Sequence, residues 1–493
     1  MNTFSPHNSI HEAAPKDTGT AYRCPSCRLS VRVIDSPPPP VCPFCHGQLE
    51  SSHYAPPPPE KVEVEDEQDE HVHRFYRKPP KGMVVALGLF VTLLLSFAVY
   101  IQVNNMEHYY YAPLVNIYSG IVGLFIVSRF VLAAFYTPPR ANYDPAVSVL
   151  VPCMNEEKSI ARSIARIYAE GYPDALREVI VVNDGSTDDT LHAMMRAQAA
   201  FRRLVVVDFE QNRGLCYGMA CATLLARGEV CIYVDSDTFL MPGAVGKLVQ
   251  GFVDPTVGGI AGHTDVENAR VNVLTKMQDV RYFFSYRVMK AAESVYGCVS
   301  CLPGCFSAYR RTCVLHVLDQ WMRERVFGIP GSYGDDRSLT NLILKEYQVL
   351  YDDEALATTI APEKWGVYTR QQARWMRSSA RGIVAASTFI WRKHPVPALS
   401  WYAMMLLPIV EPIIIVQALV IGPLREGAIV PSYSFGILII TFVWSLYHLQ
   451  KTGRSHWWAG FVFTFTYMVF YSWQIYYAIV TMATGKWGTR GGV

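Results

Sequence analysis

The segment VCIYVDSD, residues 230–237, joins five apolar residues to two carboxylates. An uninterrupted apolar run of this length is typical of a strand that is covered on both faces, as in a parallel sheet. Similar strand-like runs occupy 147–152, 178–182 and 204–208, and helix-like patterns lie between them. Strands that alternate with helices predict an α/β domain with a mainly parallel sheet, whose ligands bind at the carboxyl ends of the strands.

Acidic residues follow two of these predicted strands directly. Asp235 and Asp237 lie on one turn after the strand that ends at Val234, and Asp184 lies in the segment NDGSTDD, 183–189. Two carboxylates on one turn are suited to hold Mg²⁺ or Mn²⁺ against a diphosphate. Exposed Asp pairs are common and usually solvated, so this prediction depends on the position after a buried strand and beside Asp184.

Two later segments carry groups that a transfer reaction at a sugar carbon requires. The segment GDDR contains Asp336, a candidate general base for an acceptor hydroxyl. The segment QQARW offers Gln371 and Arg374 to bind a departing diphosphate, and Trp375 to stack on a sugar face. The alternative for this second segment is an amphipathic helix with a core tryptophan.

Long apolar runs lie on both sides of the predicted domain. The chain has 493 residues, a mean hydropathy of +0.13 and a formal net charge of +2, so no charge excess indicates a nucleic-acid partner. The runs at 83–103 and 112–136 are long enough to cross a bilayer, and a buried core helix is the alternative for each. Further runs lie at 399–424, 434–449 and 457–483.

Basic residues predict the orientation of these runs. Four Lys or Arg residues precede the first run and Arg140 follows the second, whereas the connection at 104–111 has none. Positive charge marks the cytoplasmic side, which predicts a multi-pass protein of the plasma (inner) membrane with a cytosolic N-terminus and catalytic domain. Glu411 lies inside an apolar run and should face protein or an aqueous channel. We expect the segment 457–483 to break into two short pieces, which would return the chain's end to the cytosol.

The N-terminal region contains two C-x2-C pairs that are separated by fourteen residues. Cys24, Cys27, Cys42 and Cys45 can close a tetrahedral structural zinc site, and a redox pair is the alternative. A module this small would depend on the metal for its folding energy. The proline-rich and acidic residues that follow predict a disordered linker.

Four motifs resemble, in their order along the chain, those of the family-2 processive synthases. They are NDGSTDD at 183–189, DSD at 235–237, GDDRSLTN at 334–341 and QQARW at 371–375. The group includes cellulose, chitin and hyaluronan synthases, and the resemblance covers about residues 83–493. It implies a GT-A-like nucleotide-sugar transferase domain that is inserted between transmembrane helices.

Within this group the chain looks most like hyaluronan synthases. The residues that carry this likeness are VRY at 280–282, GCVSC at 297–301, GDDRSLTN and the terminal WGTR at 487–490. In contrast, LPGCF at 302–306 resembles chitin synthases, in the loop expected to hold the acceptor sugar. The segment NRGL at 212–215 lacks the lysine that relatives usually place after the glycine.

The resemblance also implies roles for individual residues. By this resemblance, Asp184 would contact the uridine, Asp235 would bind the nucleotide and Asp237 would bind the metal ion. Asp336 would remove the proton, Gln371 and Arg374 would bind the diphosphate, and Arg213 would supply a positive charge in place of the missing lysine. The acceptor would be bound by Trp375, Gly304 and Cys305. The implied reaction is an inverting transfer from UDP-sugars that gives a β-linked polymer, which then crosses the lipid bilayer through the membrane helices.

The product is predicted to be hyaluronan, made from UDP-N-acetylglucosamine and UDP-glucuronate. A chitin or poly-N-acetylglucosamine synthase that uses UDP-N-acetylglucosamine alone is the alternative. Two further hypotheses concern other classes of protein. One is a transferase that adds one sugar to a lipid carrier, and the other is an inactive zinc-bearing membrane scaffold. The intact Asp235, Asp237, Asp336 and Arg374 argue against the scaffold.

The sequence predicts seven regions. They are a zinc-ribbon-like module at 1–55, a disordered linker at 56–81, two transmembrane helices at 82–138, a cytosolic glycosyltransferase domain at 139–380, an interfacial helix at 381–398, further transmembrane helices at 399–485, and a cytosolic tail with the WGTR motif at 486–493.

Overall fold

The computed structural model describes most of the chain. It covers residues 19–58 with gaps at 35–38, 40 and 44, seven residues between 89 and 103, and residues 113–482 with gaps at 327, 331–334 and 427–430. Most of the predicted linker at 56–81, most of the first predicted span and the WGTR motif at 487–490 lie outside the described residues.

The strands of the described residues are β1 (Gly19–Arg23), β2 (Ser30–Val33), β3 (Glu50–Tyr54), β4 (Val147–Cys153), β5 (Arg177–Asp184), β6 (Leu204–Phe209), β7 (Val230–Val234), β8 (Thr238–Leu240), β9 (Val257–Val266), β10 (Phe306–Arg310), β11 (Arg325–Val326), β12 (Ile329–Pro330) and β13 (Gln348–Thr359). Their apolar β-branched residues suit the pleated, buried surface of a sheet.

The α-helices of the described residues are α1 (Pro113–Ala134), α2 (Ile160–Ala169), α3 (Thr190–Ala200), α4 (Leu215–Leu225), α5 (Ala244–Leu248), α6 (Val273–Phe284), α7 (Ala291–Ser294), α8 (Arg311–Met322), α9 (Asp335–Glu346), α10 (Trp365–Ser387), α11 (Pro395–Val416), α12 (Gly422–Glu426), α13 (Pro431–Thr452), α14 (Ala459–Thr466) and α15 (Gln474–Val480). A π-helical segment, Ser285–Lys290, joins α6 to α7.

Eleven strands form one mixed sheet in the order β3-β1-β2-β6-β5-β4-β7-β10-β9-β13-β8. The prediction of a mainly parallel sheet is correct only for the centre, β6-β5-β4-β7, and for the pairing of β9 with β13. Strand β10 runs antiparallel between β7 and β9. It does so because the chain enters β10 from the carboxyl edge of the sheet, and this route places the loop 301–305 beside Asp235, which follows β7.

The N-terminal strands belong to the same sheet. Strand β2 pairs antiparallel with β6, with Val31 opposite Val207. The sequence predicts a separate module at 1–55, but the pairing of β2 with β6 covers a sheet edge that would otherwise present unpaired N–H and C=O groups. The cysteine-bearing segment is therefore an extension of the transferase sheet.

Helices cover both faces of the sheet, because successive residues of a strand point to opposite faces. In β4, Val149 and Val151 pack with Ile164 of α2 in one buried cluster. Leu150, between them, belongs to the second cluster with Met219 of α4. Each fully buried side chain of this kind contributes roughly 1.5–3 kcal/mol.

Two described helical segments are long and apolar enough to cross a bilayer by length and composition. They are α1 and the continuous segment Pro395–Arg425. Their apolar windows are 11% and 22% buried, whereas the core helix of a soluble protein is mostly buried. Large apolar side chains such as Leu399 and Leu424, 74% and 81% exposed, face outwards.

The C-terminal helical segments agree with one sequence prediction and differ from another. The segment predicted to break, 457–483, consists of α14, a π-helical stretch Tyr467–Tyr471, a turn at Ser472 and α15. The interfacial helix predicted at 381–398 is not a separate element. Its first residues are the end of α10, so the predicted domain boundary at 380 falls inside a helix.

Candidate active site

Three acidic residues predicted from the sequence lie at the carboxyl edge of the central sheet. Asp184 ends β5, and Asp235 and Asp237 follow β7. Both strands pair in parallel with β4, so their ends meet at one edge. Asp237 is buried, and the hydroxyl of Thr359 donates to its Oδ1 across 3.5 Å.

The Asp184 carboxylate organises the loop that follows β6. Its two oxygens accept the backbone N–H groups of Arg213, at 2.7 Å, and Gly214, at 3.0 Å. Burial raises the pKa of Asp184, while these hydrogen bonds act in the opposite direction. Gly185 has φ +67°, and a Cβ there would lie 2.5 Å from the backbone nitrogen of Asn212. Only glycine allows this close approach of the two loops.

The predicted nucleotide ligand Arg213 is directed elsewhere in this structure. Its guanidinium donates to the backbone carbonyl of Cys27 across 2.7 Å. The backbone N–H of Arg213 donates to Asp184, while its side chain contacts the turn between β1 and β2. A direct role of the Arg213 side chain at the nucleotide-sugar stays a prediction.

The predicted acceptor loop contacts the Asp pair. A Cβ at Gly304 would lie 3.2 Å from Oδ1 of Asp235, so the loop backbone packs closely against this carboxylate. The Cys305 thiol lies 3.2 Å from the hydroxyl of Tyr286 and 3.3 Å from that of Thr264. Burial raises the pKa of Cys305 to about 12, so the thiol is neutral.

The candidate base Asp336 lies in the first turn of α9. The backbone N–H of Arg337 donates to its Oδ1 across 2.8 Å, and the Cys301 thiol lies 3.7 Å from its Oδ2. The N–H of Leu302 donates to the hydroxyl of Thr340, one helical turn further along α9. The acceptor loop therefore joins the candidate base to the Asp pair.

Helix α10 carries Gln371, Arg374 and Trp375 beside α6. Arg281 of α6 donates to Oε1 of the neighbouring Gln372, and its guanidinium lies 5.5 Å from the ring centre of Trp375. Among the described residues, the buried Oε1 of Gln371 has no hydrogen-bond partner.

Sequence analysis assigned no role to several residues of this site. The ring of Tyr282 lies 6.4 Å from that of Trp375 and 6.3 Å from that of Tyr286, which contacts Cys305. These aromatic rings connect α10 to the acceptor loop. The VRY motif at 280–282 was the sequence signal that could have identified these residues. It resembles hyaluronan synthases, but the resemblance gave its residues no role in the site.

Comparisons with known proteins agree with this geometry. A family model described as glycosyl transferase family 2 matches residues 148–317. A hyaluronan synthase of Streptococcus pyogenes is 27% identical over 424 residues, which cover 83% of this chain and 97% of the relative. The chain is a glycosyltransferase whose residues 148–317 match family 2. The predicted resemblance to hyaluronan synthases and the predicted enzyme class are both confirmed.

Two further comparisons extend this result. An N-acetylglucosaminyltransferase of Mesorhizobium japonicum is 32% identical over 279 residues, which cover 56% of this glycosyltransferase and 66% of that relative. A mannosyltransferase from Pyrobaculum calidifontis, solved with GDP-mannose and Mn²⁺, shares the fold with a TM-score of 0.50. That structure is 19% identical and covers 75% of this chain and 98% of its own.

The glycosyltransferase contains a cavity of about 1260 Å³ between its catalytic domain and its apolar helices. Arg337 and Ser300, the neighbours of Asp336 and Cys301, line one part of it. Most of the remaining lining comes from α1, from α6 and the π-helical segment after it, and from α10, α11, α13, α14 and the segments after α14. Glu411 also lines this cavity, as the sequence predicted.

The four N-terminal cysteines of the glycosyltransferase form one cluster. The Sγ atoms of Cys24 and Cys45 are 3.3 Å apart, those of Cys27 and Cys42 are 3.4 Å apart, and all four lie within 4.8 Å of one another. A Zn–S distance of about 2.3 Å puts tetrahedral sulfur atoms about 3.8 Å apart. The residues present therefore fit a tetrahedral metal ion.

A second polar cluster joins α6 of the glycosyltransferase to the C-terminal helices. Oδ2 of Asp279 lies 3.2 Å from Nε2 of His448 and 2.7 Å from Nε2 of His456, and Arg454 donates to Oδ1. Burial alone would raise the pKa of Asp279, but the Arg454 guanidinium and the two histidines hold this pKa well below its usual range. The cluster lies two residues from Arg281.

Proposed function

We propose that the chain is a membrane-embedded processive synthase that polymerises UDP-sugars into a β-linked polysaccharide and passes it through its own membrane helices. The observation that carries this proposal is the cavity beside the candidate active site. It begins at Ser300 and Arg337, next to the candidate base, and continues between α1, α11 and α13. A polymer that grows at Asp336 would meet this space first.

The carboxyl edge of the sheet is the proposed site of the donor. Asp184 would contact the uridine, Asp237 would hold Mg²⁺ or Mn²⁺, and Asp235 would assist at the nucleotide. The divalent ion, when bound, would neutralise the developing charge on the departing diphosphate. Gln371 and Arg374 would bind the same diphosphate from α10, with the amide nitrogen of Gln371 and the guanidinium of Arg374 as donors.

Asp336 is the proposed general base. Its carboxylate would take the proton of the acceptor hydroxyl while the hydroxyl oxygen bonds to the anomeric carbon of the donor. The bond from that carbon to the phosphate oxygen breaks, and the nucleoside diphosphate leaves from the opposite face. The sugar configuration is therefore inverted, which gives a β-linkage from an α-linked donor.

Trp375, Gly304 and Cys305 are the proposed acceptor contacts. The indole of Trp375 offers a flat apolar face, and the backbone at Gly304 approaches Asp235 without an intervening side chain. A sugar ring that stacks on the indole would lie between α10 and the acceptor loop. The neutral thiol of Cys305 would be a weak hydrogen-bonding group there.

Hyaluronan is the proposed product. The donor UDP-glucuronate carries a carboxylate, which requires a cationic partner. Arg281 lies beside Trp375 and would offer such a charge to a glucuronate unit at the proposed acceptor position, after its transfer from the donor. The chitin-like loop at 302–306 and the similarity to an N-acetylglucosaminyltransferase favour a second candidate, a polymer of N-acetylglucosamine alone.

The proposed surroundings are the lipid bilayer and the cytosol. Helix α1 and the segment Pro395–Arg425 would span the membrane, with the first predicted span at 83–103 outside most of the described residues. The N-terminus and the catalytic domain would face the cytosol, because basic residues flank the predicted spans on that side. The four-cysteine cluster would bind zinc there.

Incubation of the purified protein with UDP-sugars, singly and in pairs, tests the proposal. Long polymer that forms only with UDP-N-acetylglucosamine and UDP-glucuronate together, and that hyaluronidase degrades, is the expected result. Polymer from UDP-N-acetylglucosamine alone, degraded by chitinase, would favour the second candidate. Transfer of a single sugar to a lipid, without polymer, would contradict a processive synthase.

A further inference from the structure

The four cysteines lie in two turns with the same backbone geometry. In the first turn the N–H of Cys24 donates to the carbonyl of Leu29 at 2.9 Å, and the N–H of Arg28 donates back to Cys24 at 2.8 Å. In the second turn Cys42 makes the equivalent pair of hydrogen bonds with Gly47 and His46, both at 3.0 Å. Arg28 and His46, one residue after the second cysteine of each turn, both have positive φ, 59° and 55°.

This repeated geometry shows that the cysteine pairs form two matching ligand loops. Each loop turns both of its thiols towards a common point, and the four Sγ atoms all lie within 4.8 Å of one another. The apolar core of the module is small and consists mainly of Leu29, Val31 and Val33, which pack on the neighbouring sheet. Without a metal, so small a core could not hold the loops in place.

The module reaches the donor site through strand pairing and through Asp208. Strand β2 pairs with β6, with Ser30 opposite Asp208. The guanidinium of Arg32, in the module, lies 3.3 Å from Oδ2 of Asp208. Nδ2 of Asn183 donates to Oδ1 of the same carboxylate across 2.7 Å. Asn183 directly precedes Asp184, so this carboxylate bridges the module and the NDG segment of the donor site.

Arg213 makes the second connection. Its guanidinium is bonded to the carbonyl of Cys27 at 2.7 Å, and its N–H is bonded to Asp184 at 2.7 Å. The turn between Cys24 and Cys27, which carries two metal ligands, therefore fixes the side chain of a residue whose backbone holds the Asp184 carboxylate. Glu210, at the start of the same loop, pairs with Arg23 and Arg28 of the module.

We infer that the four-cysteine module is a metal-dependent clamp that positions the loop 210–214 and thereby sets the affinity for the nucleotide. Zinc is the ion that a four-thiolate tetrahedral site favours. Loss of the metal by chelation weakens binding of the nucleoside diphosphate and raises the KM for the donor more than it lowers kcat. This inference rests on the proposed assignment of Asp184 to the nucleotide.

Two variants of the full-length protein test the clamp from its two ends. Cys45→Ser removes the exposed metal ligand, and Arg213→Gln removes the connection but leaves all four thiols. Zinc is measured by mass spectrometry, and the Kd for UDP is measured by calorimetry with Mg²⁺ in excess. We expect Cys45→Ser to lose zinc and Arg213→Gln to keep it, with each weakening UDP binding by about two- to tenfold, the effect of one lost hydrogen bond.

The double variant distinguishes the clamp from two independent effects. If the module acts through Arg213, the double variant binds UDP about as weakly as the weaker single variant, so the effects are not additive. Arg203→Gln is the matched control, because Arg203 also donates to backbone carbonyls, those of Asp174 and Ala175, but precedes β6 at the opposite edge of the sheet. Its Kd for UDP should equal that of the wild type.

Several outcomes would overturn the inference. They are a wild-type protein without bound metal, a folded zinc-free Cys45→Ser protein with the wild-type Kd, and an Arg213→Gln protein with the wild-type Kd. If Cys45→Ser does not fold, the Arg213→Gln result alone decides. A wild-type protein that does not bind UDP would overturn the proposed function as well, whereas UDP binding that is insensitive to both variants would overturn this inference alone.

Discussion

At the scale of single residues, the contacts of Asp336 allow its role to be separated from its structural contribution. Asp336→Asn keeps an oxygen that can accept the N–H of Arg337, so the start of α9 should be preserved. The amide cannot take a proton from the acceptor hydroxyl, and we expect polymer elongation to fall by at least about 10²-fold. UDP binding should stay near the wild-type value.

The matched control for this variant is Asp319→Asn, an exposed carboxylate on α8. Elongation is measured by incorporation of radiolabelled sugar, and UDP binding by calorimetry. Near-normal polymer output from Asp336→Asn would remove Asp336 from the role of base, whichever product is made.

A second residue, Asp352, makes the stability of the fold depend on pH. Burial raises the pKa of Asp352 to about 7, although the N–H groups of Glu354 and Ala355 both donate to its Oδ1. The neighbouring carboxylates Asp353 and Glu354 raise this pKa further. The folded state therefore binds the proton more tightly than the unfolded state does.

The sign of the effect follows from this difference. The stabilising contribution of the neutral carboxyl is complete below about pH 4, the pKa of an unfolded Asp, and is lost as the pH rises towards the folded value. Asp352→Asn keeps the acceptor oxygen without the charge, so we expect it to unfold at a higher temperature than the wild type at pH 8, with a free energy of unfolding that is larger by a few kcal/mol at most. The difference in unfolding temperature between the variant and the wild type should be smaller at pH 5. Thermal unfolding at both pH values checks this, and an equal difference at both would contradict it.

At the scale of elements, the buried Asp279 cluster fixes the catalytic domain to the C-terminal helices. Asp279→Ala would leave His448, His456 and Arg454 without their shared carboxylate. Breaking a buried pair by removing one partner typically costs about 3–5 kcal/mol. We expect a clearly lower unfolding temperature in detergent, with Asp319→Ala unchanged. An unfolding temperature equal to that of the wild type would show that the cluster contributes little.

The elements also show which structural features are readable from sequence. The apolar run predicted at 230–234 is β7 at the same residues, and the run at 204–208 is β6 within one residue. These strands are recognisable because their side chains are buried on both faces, which is a local signal. The antiparallel β10 and the pairing of β2 with β6 join distant parts of the chain, and no local pattern indicates such a partner.

The same distinction applies to the candidate site. Asp184, Asp235 and Asp237 were predictable together, because the carboxyl ends of parallel strands meet at one edge. The contacts of Arg281 and Tyr282 with α10, and of Tyr286 with the acceptor loop, were not, since they depend on how α6 and the segment after it pack in the fold. Arg213 shows the limit of prediction from sequence most clearly. Its positive charge suggested that it binds the nucleotide-sugar, but only the fold reveals that its guanidinium donates to the carbonyl of Cys27.

At the scale of the whole molecule, the cavity connects the candidate active site with the apolar helices. Its lining changes from Arg281, Ser300 and Arg337 on the catalytic side to apolar and aromatic residues between the helices. Aromatic and apolar walls offer sugar rings flat faces without strong directional bonds. A polymer could therefore move along such a surface without being held at one position.

This arrangement gives a prediction that depends on the whole molecule. Ala380 lies on α10 and lines the cavity, and Ala380→Trp would narrow the space beyond the candidate active site. We expect UDP binding to be retained and the polymer to become shorter, because the donor site is untouched whereas the path of the product is obstructed. Polymer length is measured by gel electrophoresis. The matched control is Thr388→Trp, an exposed position just after the same helix. If Ala380→Trp folds, binds UDP and makes polymer of wild-type length, the product takes another path and the cavity has no part in translocation.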